Sequence, residues 1–293
     1  MENTAEITKN IIETINTIFK NLFTSIDNNL YDVLDDIVFI NKNILTDKYF
    51  SKIFGLSSTN DILLVANSLL IGFLLYYSGR YMLSNFTYSR IENPVQFVFK
   101  CIIFGIVMNS SFFIIEQVLN LNFGVCELIR SIGQDLFGKE ICFNELLNEI
   151  NQNLAMNTEN IDIFTIDGLI KGTVTVSFMN LVLSYSLRYV IIKVLILLAP
   201  FAFLSLILEN TAHFFKSWYR SLFSLLFIQI IVAIVLLLLF SMDYTKANLL
   251  NKFIYIGGIY ALIRANSMVK ELFGGISTSV QSGMSRLKVG GGK

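Results

Sequence analysis

Four ionisable side chains stand inside long apolar runs of this sequence: Lys100, Glu116, Arg188 and Lys193. In hydrocarbon each such group costs roughly 2.5–3.5 kcal/mol on insertion scales, so it faces a neighbouring helix or a water-filled cavity, or reaches back to an interface. Glu116 could pair with one of the basic groups across helices. Plain anchoring competes with that reading, with Lys100 snorkelling two turns from Pro94 and with Glu116 and Arg188 near an outer interface. Other chemistries lack their parts. His213 is the sole histidine, set in a short linker with Lys216, Trp218 and Arg220. Cys101, Cys126 and Cys142 match neither a zinc spacing nor a CxxC redox motif, and no GxSxG or P-loop is present. We therefore expect no catalytic residue, no metal and no cofactor, and a protein that is not an enzyme. Cys126 and Cys142 fall in one loop, and a bridge between them in an oxidising space would be worth roughly 3 kcal/mol, which leaves their pairing open.

These residues are set in an unusually apolar chain. Its 293 residues are 54% hydrophobic and 15% charged, with a mean hydropathy of +0.62. A soluble domain needs about a quarter of its residues charged to face water, so the composition predicts a bilayer. The formal net charge is zero, which excludes a long-range field for nucleic acid. The start, MENTAEITKN, lacks the basic and then apolar order of a cleaved signal peptide, so the first span is expected to direct insertion. Abundant Asn and Ile suit an AT-rich bacterial genome.

Residues 1–60 read as an amphipathic region, external or interfacial. Ile11, Ile15, Ile18, Leu22 and Ile26 share one helical face, and Leu30, Leu34, Ile37, Val38 and Ile40 continue to about Leu45 with Asp32, Asp35 and Asp36 on the polar side. Residues 61–119 hold spans one and two, from Ile62 to about Leu83 and from Pro94 to about Leu119. Residues 120–170 read as an acidic external loop with short helices, where Glu127, Asp135, Glu140, Glu145 and further acids outnumber Arg130 and Lys139.

Residues 171–270 hold spans three to five. The run 172–208 would be roughly 55 Å long as one helix, nearly twice a bilayer core. With no Gly or Pro between Thr173 and Ala199 we expect one long protruding helix rather than a re-entrant hairpin, with a kink at Pro200. Span four runs from Trp218 to about Phe240 and span five from Leu249 to about Met268, with Gly257 and Gly258 inside it. Residues 271–293 form a basic, glycine-rich tail. Lys and Arg gather in the linkers after spans one and three and in the tail, so the bias predicts an external N-terminus and a cytoplasmic C-terminus. The expected fold class is thus all-α: a polytopic membrane protein of about five transmembrane helices.

The stretch LLAPFAFLSLILENTAHFFKSWYRSLFSLLFIQIIVAIVLLLL, residues 197–239, resembles the TrbL/VirB-six-like family, polytopic inner-membrane subunits of type IV secretion and conjugation machines. The family pattern is an Ala-Pro within a span, a short cytoplasmic linker ending in Trp, and a span carrying Gln. Here these are Ala199 and Pro200, Trp218 with Lys216 and Arg220, and Gln229. The tail phrase VKELFGGIST is similar to members from Gram-positive conjugative elements. The resemblance implies a channel or scaffold subunit in a bacterial cytoplasmic membrane, meeting a cytoplasmic ATPase and other secretion-complex subunits. It implies no catalytic residue. If translocated DNA or protein touches such a subunit, we expect Lys100, Arg188 and Lys193 as pore or interface groups and the basic tail for cytoplasmic contact. Because side chains fill the centre of a small bundle, a conduit would need several copies or other subunits, so homo-oligomer or complex membership is expected. A small secondary transporter and a non-conducting assembly factor are the rival readings. The first lacks an internal repeat; the sequence does not separate the second from a channel subunit.

Overall fold

The computed structural model describes residues 10–11, 13–18, 21, 34–40, 43–47, 50, 52–53, 61–87, 92–146, 166–242 and 249–273. The acidic stretch 147–165, the turn 243–248 and the tail from 274 lie outside the described residues. Among those described there is no strand, and the long helices are α1 (Ile62–Thr87), α2 (Pro94–Asn109), α3 (Ser111–Phe137), α4 (Ile166–Leu197), α5 (Ala199–Leu204, one short turn), α6 (Ala212–Phe240) and α7 (Leu249–Phe273). Four of them are long and apolar enough to cross a bilayer: Ile62–Ser84, Ser111–Phe137, Gly168–Leu197 and Ala212–Phe240. The chain is a helical protein of multi-pass membrane character.

The second expected span is divided. Asn93 caps α2 by accepting from the Val95 amide at 3.1 Å, and Pro94 opens the helix as its missing N–H allows. The polar trio Asn109–Ser110–Ser111 then interrupts it, with Ser110 at φ −87° and ψ 5°. Helix α3 restarts at once and runs 27 residues to Phe137, through the first third of what the sequence suggested was an external loop. Its acids, Glu127 and Asp135, had marked it as soluble. The helical period of its apolar residues continues across them. At the far end Gly138 adopts φ +68° and closes α3 with a left-handed cap, and the chain doubles back so that Ile141, Phe143 and Leu146 are buried. The return passes so close that a Cβ on Gly133 would stand 2.3 Å from the Ile141 side chain and 2.8 Å from that of Leu237.

Helices α1 and α2 are antiparallel. The Asn67 and Asn109 side-chain amides each donate a hydrogen bond to the other's oxygen at 3.1 Å, and the Tyr77 ring stacks on Phe97 with centroids 3.8 Å apart. Helices α3 and α6 run parallel, since Asn122 meets Gln229 and Gly133 meets Leu237 further along both. Helix α6 returns through α7, where Gly258 lies against Leu239. The long third apolar stretch is one continuous helix of 32 residues, beginning at Ile166, with α5 following its break. Proline supplies no N–H and crowds the turn before it, so the break falls at Leu198, just ahead of Pro200.

The N-terminal region departs furthest from expectation. Residues 10–18 are helical where described, with Ile11 and Ile18 exposed. Residues 34–40 and 43–47, expected on the surface of the membrane part, instead enter the bundle. Leu34, Val38, Phe39, Ile40, Ile44 and Leu45 are all buried. A helical turn at 34–38 gives way to irregular backbone at Phe39 and Ile40, and Asn43–Thr46 forms one more turn.

Candidate functional site: a polar centre around an inserted segment

Irregular backbone among apolar helices is tolerated only where its polar groups find partners inside the protein. Here two side chains supply them. Arg188 on α4, with 0% of its surface exposed, donates from Nη2 to the Val38 carbonyl at 2.7 Å. Gln229 on α6, also 0% exposed, donates from Nε2 to the Ile40 carbonyl at 3.1 Å, while its Oε1 accepts from Asn122 Nδ2 at 3.2 Å. The carbonyls at the end of a helical turn lack intrahelical donors and carry the negative end of its dipole, which suits a guanidinium.

Helix α3 faces the same segment with a stripe spaced by four. Asn122 reaches Gln229, Cys126 follows it in full burial, and the Arg130 guanidinium lies over the Phe39 ring at 5.0 Å. Arg130 also bonds the Ile141 carbonyl at 2.8 Å, Glu127 at 2.8 Å and Glu140 at 3.2 Å, so one side chain ties α3 to the returning chain beyond it.

Both ends of the inserted segment are tied as well. The Asp35 carboxylate accepts from the Phe143 amide at 3.1 Å and the Asn144 amide at 3.4 Å, capping the short helical turn at 143–146. Burial pushes the Asp35 carboxyl above its ordinary range; the Phe143 and Asn144 amides, and then Arg130, pull the other way. At the opposite end Asp47 pairs with Lys193 at 3.2 Å, and the Lys193 ammonium lies over the rings of Tyr189 and Phe50 at 5.0 and 5.5 Å.

The four sequence-selected charges therefore do not form one site. Lys100 pairs with Glu92 at 2.5 Å, Lys193 with Asp47, and Arg188 with a carbonyl. Glu116 is half-buried on α3, and none of these basic groups meets it. What the expectation lacked was acceptors from outside the apolar runs, namely Glu92, Asp47 and the Val38 main chain. Arg188 is left partly matched: among the described residues its Nε and Nη1 meet no acceptor, and its flat face lies 5.2 Å from the Tyr185 ring. Tyr185 in turn donates to the Leu262 carbonyl at 3.1 Å, which joins α4 to α7.

The Ala199, Pro200, Trp218 and Gln229 positions each have a structural task. Pro200 breaks the helix, and the Trp218 indole N–H crosses from α6 to the Leu195 carbonyl at 2.7 Å, just before that break. Ala199 and Pro200 are buried, and Phe203 meets the Trp218 ring edge-on at 5.6 Å. The linker to α6 is fastened by Thr211, whose hydroxyl donates to the Ser205 carbonyl at 2.7 Å. His213 follows in the first turn, with Nδ1 3.0 Å from the Asn210 carbonyl. A cleft of about 380 Å³ opens beside this linker, lined by Tyr76, Tyr77, Arg80, Glu92, Phe97 and residues 207–211.

Comparison of the chain with protein-family models, curated proteins and solved structures finds no match. All three cysteines are free, so Cys126 and Cys142 do not bridge; Cys126 is buried on α3 and Cys142 half-buried beyond Gly138. Among the described residues no cluster of His, Cys, Asp and Glu could hold a metal ion.

Proposed function

We propose that this protein is a membrane-embedded scaffold subunit of a type IV secretion or conjugative transfer apparatus in a bacterial cytoplasmic membrane. The observation that carries the reading is the joint placement of Pro200, Trp218 and Gln229: the pattern that resembles the secretion family is also the set that breaks α4 from α5, ties α6 to α4, and holds the inserted segment. A scaffold is favoured over a conduit formed by one copy, because residues 34–40 and 43–47, as seated, occupy the space between α3, α4 and α6. Any passage for DNA or protein is then built with further copies or other subunits, an ATPase on the cytoplasmic side among them. In this reading α7 is a fifth crossing, the N-terminus is external and the C-terminus cytoplasmic.

A secondary transporter is less favoured, since Glu116, Arg188 and Lys193 do not gather around one substrate position. The deciding experiment is extraction of the tagged protein from its native host in mild detergent, with mass spectrometry of what accompanies it. Recovery with a secretion ATPase and conjugation subunits is the expected result. Recovery as a discrete monomer or dimer, together with normal DNA transfer by a strain lacking the protein, would overturn the reading.

A further inference from the structure

The inserted segment is held in an unusual way. Where the bilayer is the alternative, its apolar side chains gain little from leaving lipid for protein, because lipid tails are as apolar as the bundle interior. Polar ties among the described residues hold it, including those from Phe143 and Asn144 to Asp35, Arg188 to Val38, Gln229 to Ile40 and Lys193 to Asp47. The two central ties hold main-chain carbonyls, which water or another acceptor can replace. The seated state also carries a cost. Arg188 is a fully buried cation answered by one carbonyl dipole and the Tyr185 ring, with Nε and Nη1 unmatched among the described residues. The nearby carboxylates are engaged elsewhere: Glu127 and Glu140 by Arg130, Asp35 by main-chain amides, Asp47 by Lys193.

We propose that residues 34–40 and 43–47 form a displaceable plug over an anion-receptive chamber of the bundle, with Arg188 as its recognition group and Gln229 and Asn122 beside it. When the segment withdraws, the freed guanidinium takes a carboxylate, sulfonate or phosphate group in its fork. Cys126 is a built-in reporter of that event. It lies on the α3 stripe between Asn122, which bonds Gln229, and Arg130, which lies over Phe39, and it is 0% exposed while the plug is seated.

The test uses the full-length chain in lipid vesicles with Cys101→Ser and Cys142→Ser, so that Cys126 is the sole native thiol. It is labelled with an anionic sulfonate and a cationic ammonium methanethiosulfonate, each rate read on the Cys126 peptide by mass spectrometry and normalised to that with free cysteine. Asp47→Lys sets like charges against Lys193 at a partly exposed position, and labelling of Cys126 is expected to speed up about five- to tenfold, with the anionic reagent faster. A second form, Asp47→Cys with Lys193→Cys joined by a bis-maleimide before labelling, is expected to protect Cys126, and the same form left unjoined to label faster. Equal rates in the unaltered, charge-reversed and joined forms would overturn displacement. A faster cationic reagent would overturn the anion-receptive chamber. The experiment needs no partner protein, so its outcome is independent of the secretion reading, and an unchanged elution volume and helical circular dichroism identify a folded sample.

Discussion

At the residue scale the molecule relies on lone amides and charges buried where few alternatives exist. Gln229 bonds on both sides, to Asn122 and to the Ile40 carbonyl, so losing it leaves two buried groups without partners. Interhelical bonds of this kind average roughly 0.6 kcal/mol in membrane proteins, and an orphaned buried group adds about 1–3 kcal/mol. Gln229→Leu should therefore lower thermal stability in detergent by about 1–3 kcal/mol. Part of the loss should be recovered in the double variant with Asn122→Leu, which removes the stranded amide; strictly additive losses in that cycle would contradict the bond. Asp35 gives a pH signature. Its folded-state pKa is raised, so the folded protein holds a proton that the unfolded chain releases, and the contribution to stability is full in acid and falls as pH rises through the raised value. Unfolding followed from about pH 4 to about pH 7 should show this decline in the parent relative to Asp35→Asn, which retains an acceptor without the titration. Gln229 stood out in the sequence only through the pattern that resembles the secretion family, and Asn122 fell in the stretch read as an acidic external loop, so their meeting was not legible. The meeting of Arg188 with Val38 was not legible, since a main-chain acceptor leaves no mark on residue type.

At the element scale, length and hydropathy carry most of the fold. The runs beginning at Ile62, Gly172 and Trp218 all became helices, and the absence of Gly and Pro between Thr173 and Ala199 correctly favoured one continuous helix. Boundaries failed where polarity and burial part company. Asn109–Ser110–Ser111 was a visible breaker passed over inside an apolar run. Glu127 and Arg130 disguised the continuation of α3, because they pair with each other at 2.8 Å on a helix whose apolar residues keep their period across them. The amphipathic pattern of residues 30–45 predicted a helix with one buried face, and it reads the same whether the polar face meets water or the Phe143 and Asn144 amides. The tight return after α3 makes a sharp prediction. Gly133→Ala places a methyl group against Ile141 and Leu237 and should cost about 1–3 kcal/mol by overpacking. Adding Ile141→Val, which removes a methyl from the crowded side, should restore part of it in thermal unfolding. A Gly133→Ala protein as stable as the parent would mean that the return is looser than this packing implies.

At the scale of the whole molecule the two ends of the chain order are unequal. Helices α3, α4 and α6 enclose the inserted segment, whereas only 6% of the apolar window of α1 is buried inside the molecule. Ile71, Leu75 and Met82 are exposed along it, and it is fastened to α2 by the Asn67–Asn109 exchange and by Tyr77, whose hydroxyl donates to the Glu92 carbonyl. A lone apolar helix in lipid needs no cover. The scaffold subunit proposed above, however, needs a face that a neighbour can take without disturbing the core, and α1 offers one. Replacing Ile71, Leu75 and Met82 one at a time by Trp should leave the thermal stability of the purified protein within about 0.5 kcal/mol, the usual range for surface changes away from special features. On the secretion reading proposed above, the same variants should in the native host reduce co-purification with other subunits and lower DNA transfer, because a bulky ring spoils close helix packing. Loss of stability in the isolated protein would mean that α1 belongs to the core after all. Unchanged stability with unchanged transfer would assign the face to lipid and move the search for the docking surface to the cleft between α1, α2 and the 207–211 linker.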